Sequence, residues 1–166
     1  MQIRKSTAQD LEQIMALYQA ARAFMRENGN PNQWGDSYPS RETIESDLAA
    51  GKSYVCLKDG AIVATFYFAV EEEPTYRVIE QGEWICDGPY GVVHRITADG
   101  STRGAASFCL NWCYEQCGNL RIDTHRANQP MQRCLARNGF VYCGVIHIAD
   151  GAERIAFQRP PEKRRA

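Results

Sequence analysis

No apolar run in this sequence approaches the ~20 residues a membrane-spanning helix requires, so no such span is expected. The first residues, MQIRKSTAQD, lack the apolar stretch of a secretory leader, and a cytoplasmic location is the expectation. Net charge is nearly absent, since 19 Lys and Arg face 20 Asp and Glu for a formal value of −1. No overall field draws such a chain to nucleic acid or to a membrane, and neither partner is expected. Linkers, repeats and low-complexity stretches are missing as well. Residues 1–159 therefore read as a single α/β domain, and 160–166 as a solvated basic tail carrying Lys163, Arg164 and Arg165. Two catalytic signatures are also lacking. GSTRGAA does not have the three-glycine spacing of a Rossmann site, and there is no Gly-x-Ser-x-Gly elbow of a hydrolase.

Cysteine, by contrast, is plentiful. Seven cysteines without a secretory leader point to reduced thiols in a cytosolic core. Cys109, Cys113 and Cys117 recur every four residues along one helical face, with His125 farther on. Structural zinc sites pair their ligands across a turn instead, so these thiols read as packing and no metal is expected. Phe108, Trp112 and His147 are read as packing too.

Periodicity sets out the elements. Gln2 to Lys5 reads as a strand, and Thr7 with Asp10 forms a capping box ahead of a helix whose Leu11, Ile14, Met15, Tyr18 and Met25 share a face. The segment Asn28 to Pro39 breaks that helix; Ser40 caps a second, in which Ile44 and Leu48 repeat, and Gly51 stops it. SYVCLKDG and AIVATFYFAV read as a hairpin through Asp59-Gly60. YGVVHRITA then reads as a central strand, Gly104 to Gln116 as a helix, NLRIDTH as a strand and NQPMQRCLARNG as a short helix with Pro130 in its first turn. A last hairpin turns at Asp150-Gly151. The order β-α-α-β-β-β-α-β-α-β-β contains one βαβ unit, hence one parallel pair, within a mixed sheet flanked by helices on both faces.

The segment ITADGSTRGAASFCLNWC is the most informative. A strand ends, small residues turn the chain, and a helix begins whose first amides have no partner inside it. Those amides lie at the positive end of the helix dipole and suit an anion, which the small Gly104, Ala105 and Ala106 let approach and Arg103 can contact. Taken alone, the stretch reads more simply as an ordinary βα turn whose glycines supply positive φ.

Order and spacing add more. IRKSTAQDLEQIMALY, SYVCLKDGAIVATFYF, STRGAAS and NQPMQRCLARNGF together resemble, over nearly the whole length, the GNAT superfamily of N-acetyltransferases. The resemblance implies a mixed, mostly antiparallel sheet of six to seven strands with a central parallel pair of the fourth and fifth. It implies acetyl-CoA as co-substrate and direct transfer to a primary amine of a small molecule or peptide in a ternary complex; a catalytically inactive acyl-CoA-binding module is the alternative. Two-chain assemblies are common in the family, so the resemblance also implies a homodimer as a possible state of this chain. The coenzyme would lie on the turn Ser101, Thr102, Arg103, Gly104, Ala105, Ala106, on the backbone of Ile96 and Ala98, and on Asn128, which is equally the cap of its helix. Ser101 replaces the usual Gln or Arg, and Leu135 stands where many members carry a tyrosine that protonates the thiolate.

For the general base, His94 is the first candidate, because imidazole as a class titrates near neutrality and His94 would share a face with Ile96. Glu83 beside Trp84 competes with it. Tyr142 is the leading candidate acid, ahead of Cys134. The acceptor pocket reads as aromatic and mildly acidic, from Trp34, Asp36 and Tyr38 of the first loop and Tyr76, Glu83 and Trp84 of the irregular stretch. Each of these side chains has a plain packing role as its counterpart reading.

Overall fold

Residues 1–163 are described in the computed structural model; Arg164 and Arg165 of the basic tail lie outside them. The elements are β1 (Gln2–Lys5), α1 (Leu11–Glu27), α2 (Arg41–Ala49), β2 (Ser53–Lys58), β3 (Ala61–Val70), β4 (Gly91–Ala98), α3 (Ala105–Cys117), β5 (Leu120–Thr124), α4 (Gln129–Arg137), β6 (Val141–His147) and β7 (Glu153–Arg159). Their order is the one the periodicity predicts. The strands form a seven-stranded, mostly antiparallel sheet in the order β1-β2-β3-β4-β5-β7-β6, with β4 and β5 parallel. The chain falls into two compact, interleaved units: Met1–Phe68 with His94–Cys109, and Ala69–Val93 with the residues from Leu110 onward.

In the first unit, local chemistry fixes the boundaries. The Asp10 carboxylate accepts from the Thr7 amide (2.7 Å) and takes Arg4 in two bonds (2.7 and 3.0 Å), so strand β1 is tied to the entry of α1. Those bonds, Arg4's first, hold the Asp10 carboxyl down at about 2. The Ser40 hydroxyl accepts from the Thr43 amide and starts α2. Lys58 pairs with Ala61 across a two-residue loop in which Asp59 (φ 51°) and Gly60 (φ 80°) are both left-handed, as a primed hairpin turn demands. Ile14, Tyr18, Ile44 and Val55 form the core, with Leu11, Met15, Trp34 and Leu48 against it.

In the second unit, Tyr76, Tyr90, Val92, Ile146 and Ala156 form the core, with Trp84 against it. The stretch between β3 and β4 reads as irregular from sequence but is ordered by its backbone. Pro74–Tyr76 makes one 3₁₀ turn, and Glu80 exchanges two 2.8 Å bonds with Val145 on β6. A Cβ at Gly82 would meet the Cys143 carbonyl oxygen, and one at Gly144 the Glu80 carbonyl, so both glycines are needed for close backbone approach.

β4 departs from a regular strand. Its pairing with β5 covers Gly91↔Leu120 and Val92↔Arg121, and Arg95 then takes a φ of +53° in mid-strand. The alternation expected to put His94 and Ile96 on one face does not carry across a left-handed residue, so that inference from spacing is corrected here.

Candidate active site

In the first unit, β4 delivers the chain to the turn before α3. Ile96 and Ala98 are half-buried on the strand, and the Asp99 amide donates to the Val63 carbonyl at 2.9 Å. The Asp99 carboxylate then accepts from the Ser101 amide (2.9 Å) and hydroxyl (2.8 Å), so both Ser101 donors are engaged within the turn. Thr102 is buried, and its carbonyl accepts from the Ala105 amide; Arg103 is exposed. Gly104 has a φ of +81°, and a Cβ built there would meet nothing within 4 Å. Its dihedral calls for glycine, and the space beside it is open. The Gly104 carbonyl accepts from Phe108 and closes the first turn of α3, while Ala106 follows half-buried. Open approach, a helix start and an exposed arginine fit the phosphates of a coenzyme.

Around the left-handed Arg95 of β4 the same unit builds a polar network. The Arg95 guanidinium binds the Asp47 carboxylate (2.6 and 3.1 Å) and the Tyr38 hydroxyl (3.0 Å), and it lies 5.0 Å from the Tyr67 ring. Its carbonyl accepts from the Tyr18 hydroxyl at 2.8 Å. Burial pushes the Tyr18 phenol well above its ordinary value and lifts the Asp47 carboxyl despite the neighbouring arginine. The His94 ring lies tilted against Tyr67, centroids 5.4 Å apart, and Trp34 packs edge-on to Tyr18 and Tyr38. The structure thus gathers His94, Trp34 and Tyr38 around Arg95, while Asp36 is 93% exposed and pairs with Arg26 at 3.5 Å. Sequence reasoning missed Arg95, Asp47 and Tyr18. A charged residue in a central strand was the available signal, because such a side chain needs a partner.

The second unit holds a cavity of about 540 Å³ lined by Tyr76, Trp84, Tyr90, Arg121, Glu71 and Asp87, among others. The Trp84 indole donates to the Tyr76 carbonyl at 2.9 Å, and the Arg121 guanidinium lies over the Trp84 and Tyr90 rings at 4.3 and 4.1 Å. Glu83 is exposed and not among the lining residues. Tyr142 is 48% exposed on β6, edge-on to Phe157. Asn128 caps α4 by accepting from the Met131 amide at 3.2 Å. Leu135 is fully buried and Cys134 nearly so. The His125 Nδ1 accepts from the Ala127 amide, and burial followed by two arginines lowers its pKa.

An acetyltransferase of the GNAT family from Streptococcus agalactiae 2603 matches with a TM-score of 0.89 and 33% identity, covering 98% of this chain and 96% of its own. This chain belongs to the GNAT superfamily. Two more distant structures share the GNAT fold. A ribosomal-protein-alanine N-acetyltransferase from Brucella melitensis matches at 16% identity and a TM-score of 0.65, covering 96% of this chain and 99% of its own. A GNAT-like decarboxylase, GphF, in complex with isobutyryl-CoA matches at 14% identity and a TM-score of 0.65, with 96% and 99% covered. No family model matches the sequence, and no curated protein matches it. The GNAT fold supports acyl transfer as the general chemistry of this protein. Among the described residues no helix is long and apolar enough to cross a membrane.

Proposed function

We propose that this GNAT protein moves an acetyl group from acetyl-CoA to a primary amine of a small molecule or peptide, by direct attack within a ternary complex. The observation that carries this reading is the turn from β4 into α3, where Gly104 is left-handed and open on its Cβ side at the start of a helix. Bound acetyl-CoA supplies the thioester whose acyl carbon the amine attacks. The chain's own residues do the rest. The amides and side chains of Ser101, Thr102, Arg103, Gly104, Ala105 and Ala106 hold the phosphates, with the Asp99 carboxylate giving up its hold on Ser101. The Ile96 and Ala98 backbone and the Asn128 side chain carry the arm. His94 takes the ammonium proton, with Glu83 as its competitor, and Tyr142 returns a proton to the leaving thiolate. Trp34, Asp36, Tyr38 and Trp84 are the proposed acceptor contacts. We further propose a cytoplasmic location.

The test is acetyl-CoA binding by calorimetry combined with thiol release over a broad amine panel. The reading expects saturable binding, release with at least one amine, and loss of both in Gly104→Val. Leu135, fully buried and apolar at the place where the family resemblance implies a tyrosine in many members, supports a second reading as an acyl-CoA-binding module without turnover. Binding without release on any amine would favour that second reading. In an active preparation, His94→Gln with an unchanged pH–rate profile would remove His94 as the base.

A further inference from the structure

Arg121 in the second unit has no part in the acetyl-transfer reading. Its side chain is buried, with the residue 6% exposed, yet among the described residues no carboxylate pairs with it and its Nε has no hydrogen-bond partner. Its described hydrogen bond runs from Nη2 to the Cys86 carbonyl at 2.8 Å. The rings of Trp84 and Tyr90 offset part of the cost of burying the charge. Ring contacts do not use the N–H donors at the guanidinium edge. A buried cation without an anion is costly, and Arg121 lines a cavity of about 540 Å³, a size usual for small-molecule sites.

The rest of the lining selects the anion. Glu71, Glu72 and Asp87 line the same cavity, and Arg77 is spent on Glu72 at 2.6 Å. Carboxylates around the cavity repel a phosphate or any polyanion but attract a cation. A ligand that satisfies both ends carries one carboxylate and one ammonium. Tyr76, Trp84 and Tyr90 add apolar faces for a short side chain. We propose that this cavity binds a small zwitterion of the amino-acid type, with its carboxylate on Arg121 and its ammonium toward Asp87. The cavity shares Trp84 with the proposed acceptor contacts, but it uses nothing of the turn before α3, and its test uses no acyl donor.

The test follows the arginine Nε–Hε resonances of the full chain, labelled with ¹⁵N-arginine, during titration with free L-amino acids. The resonance of Arg121 is the one missing in Arg121→Lys. It is expected to shift saturably in the millimolar range with at least one amino acid. The matching amino-acid amide, which has no carboxylate, is expected to bind at least about tenfold more weakly. Inorganic phosphate is expected to leave the resonance in place. No saturable shift with any amino acid, equal binding of the amide, or a phosphate response would each overturn the proposal. Should Arg121→Lys fail to fold, calorimetry on Asp87→Asn, an exposed position, keeps the question open. That variant is expected to bind the amino acid several-fold more weakly and to bind propionate no less tightly. Unchanged amino-acid affinity, or equal losses for both ligands, would overturn it.

Discussion

At the residue scale, two positions carry measurable expectations. The Asp10 carboxyl is held at about 2, chiefly by Arg4, well below its unfolded value, so its contribution is present above the unfolded pKa and is lost as pH falls toward the folded one. Arg4 is 41% exposed, which screens the pair, and Asp10→Asn should cost about 1–2 kcal/mol at pH 7. In urea unfolding at a series of pH values, the gap to the parent should shrink from about pH 4 down to about pH 2. A gap constant over that range would rule out the charge as its source. Gly104→Ala meets no neighbour but must hold a φ of +81°, so about 1 kcal/mol of stability should be lost without a clash. On the proposed function, acetyl-CoA affinity falls with it. Affinity that stays at the parental level while stability drops would leave Gly104 a turn residue and nothing more.

At the element scale, β4 holds the main surprise. Strand composition foretells the strand, because Val92, Val93 and Ile96 suit a buried sheet, and hairpins, caps and helix stops were legible from Asp59-Gly60, Ser40, Asn128 and Gly139. The left-handed Arg95 was not legible. Nothing in the local sequence HRI demands a left-handed arginine; the conformation is held by groups far along the chain, namely Tyr18 on its carbonyl and Asp47 and Tyr38 on its guanidinium. The candidate site divides in the same way. The turn Ser101 to Ala106 could be read from small residues in a row, whereas the surroundings of Arg121 could not, since a strand arginine signals that a partner is needed but not that two rings cover it. Asp47→Ala leaves the largely buried Arg95 cation without its carboxylate, at a cost of about 3–5 kcal/mol, and should lower Tm by about 6 °C or more. The double change Asp47→Leu with Arg95→Met should recover most of that loss in thermal unfolding. If the single change costs no more than the double, the pair is not what holds β4.

At the scale of the whole molecule, Cys56, Cys109, Cys113, Cys134 and Cys143 are buried, while Cys86 and Cys117 are half-buried. Burial raises the Cys113 and Cys143 thiols above their ordinary value, so little thiolate forms at pH 8. Native protein mixed with a thiol reagent should react slowly at these positions, at a rate that tracks opening of the fold, and all seven should react at once in denaturant. Prompt reaction of Cys113 in the native state would contradict this packing. The sheet order has a consequence for the order of events in synthesis. β7, the last strand among the described residues, lies between β5 and β6, so β5 gains its antiparallel neighbour only when Glu153–Arg159 arrives. A ribosome emitting this chain therefore exposes β5 and β6 as open edges until the final hairpin has left the exit tunnel. Nascent chains stalled before Glu153 are where a holding chaperone has the most to cover.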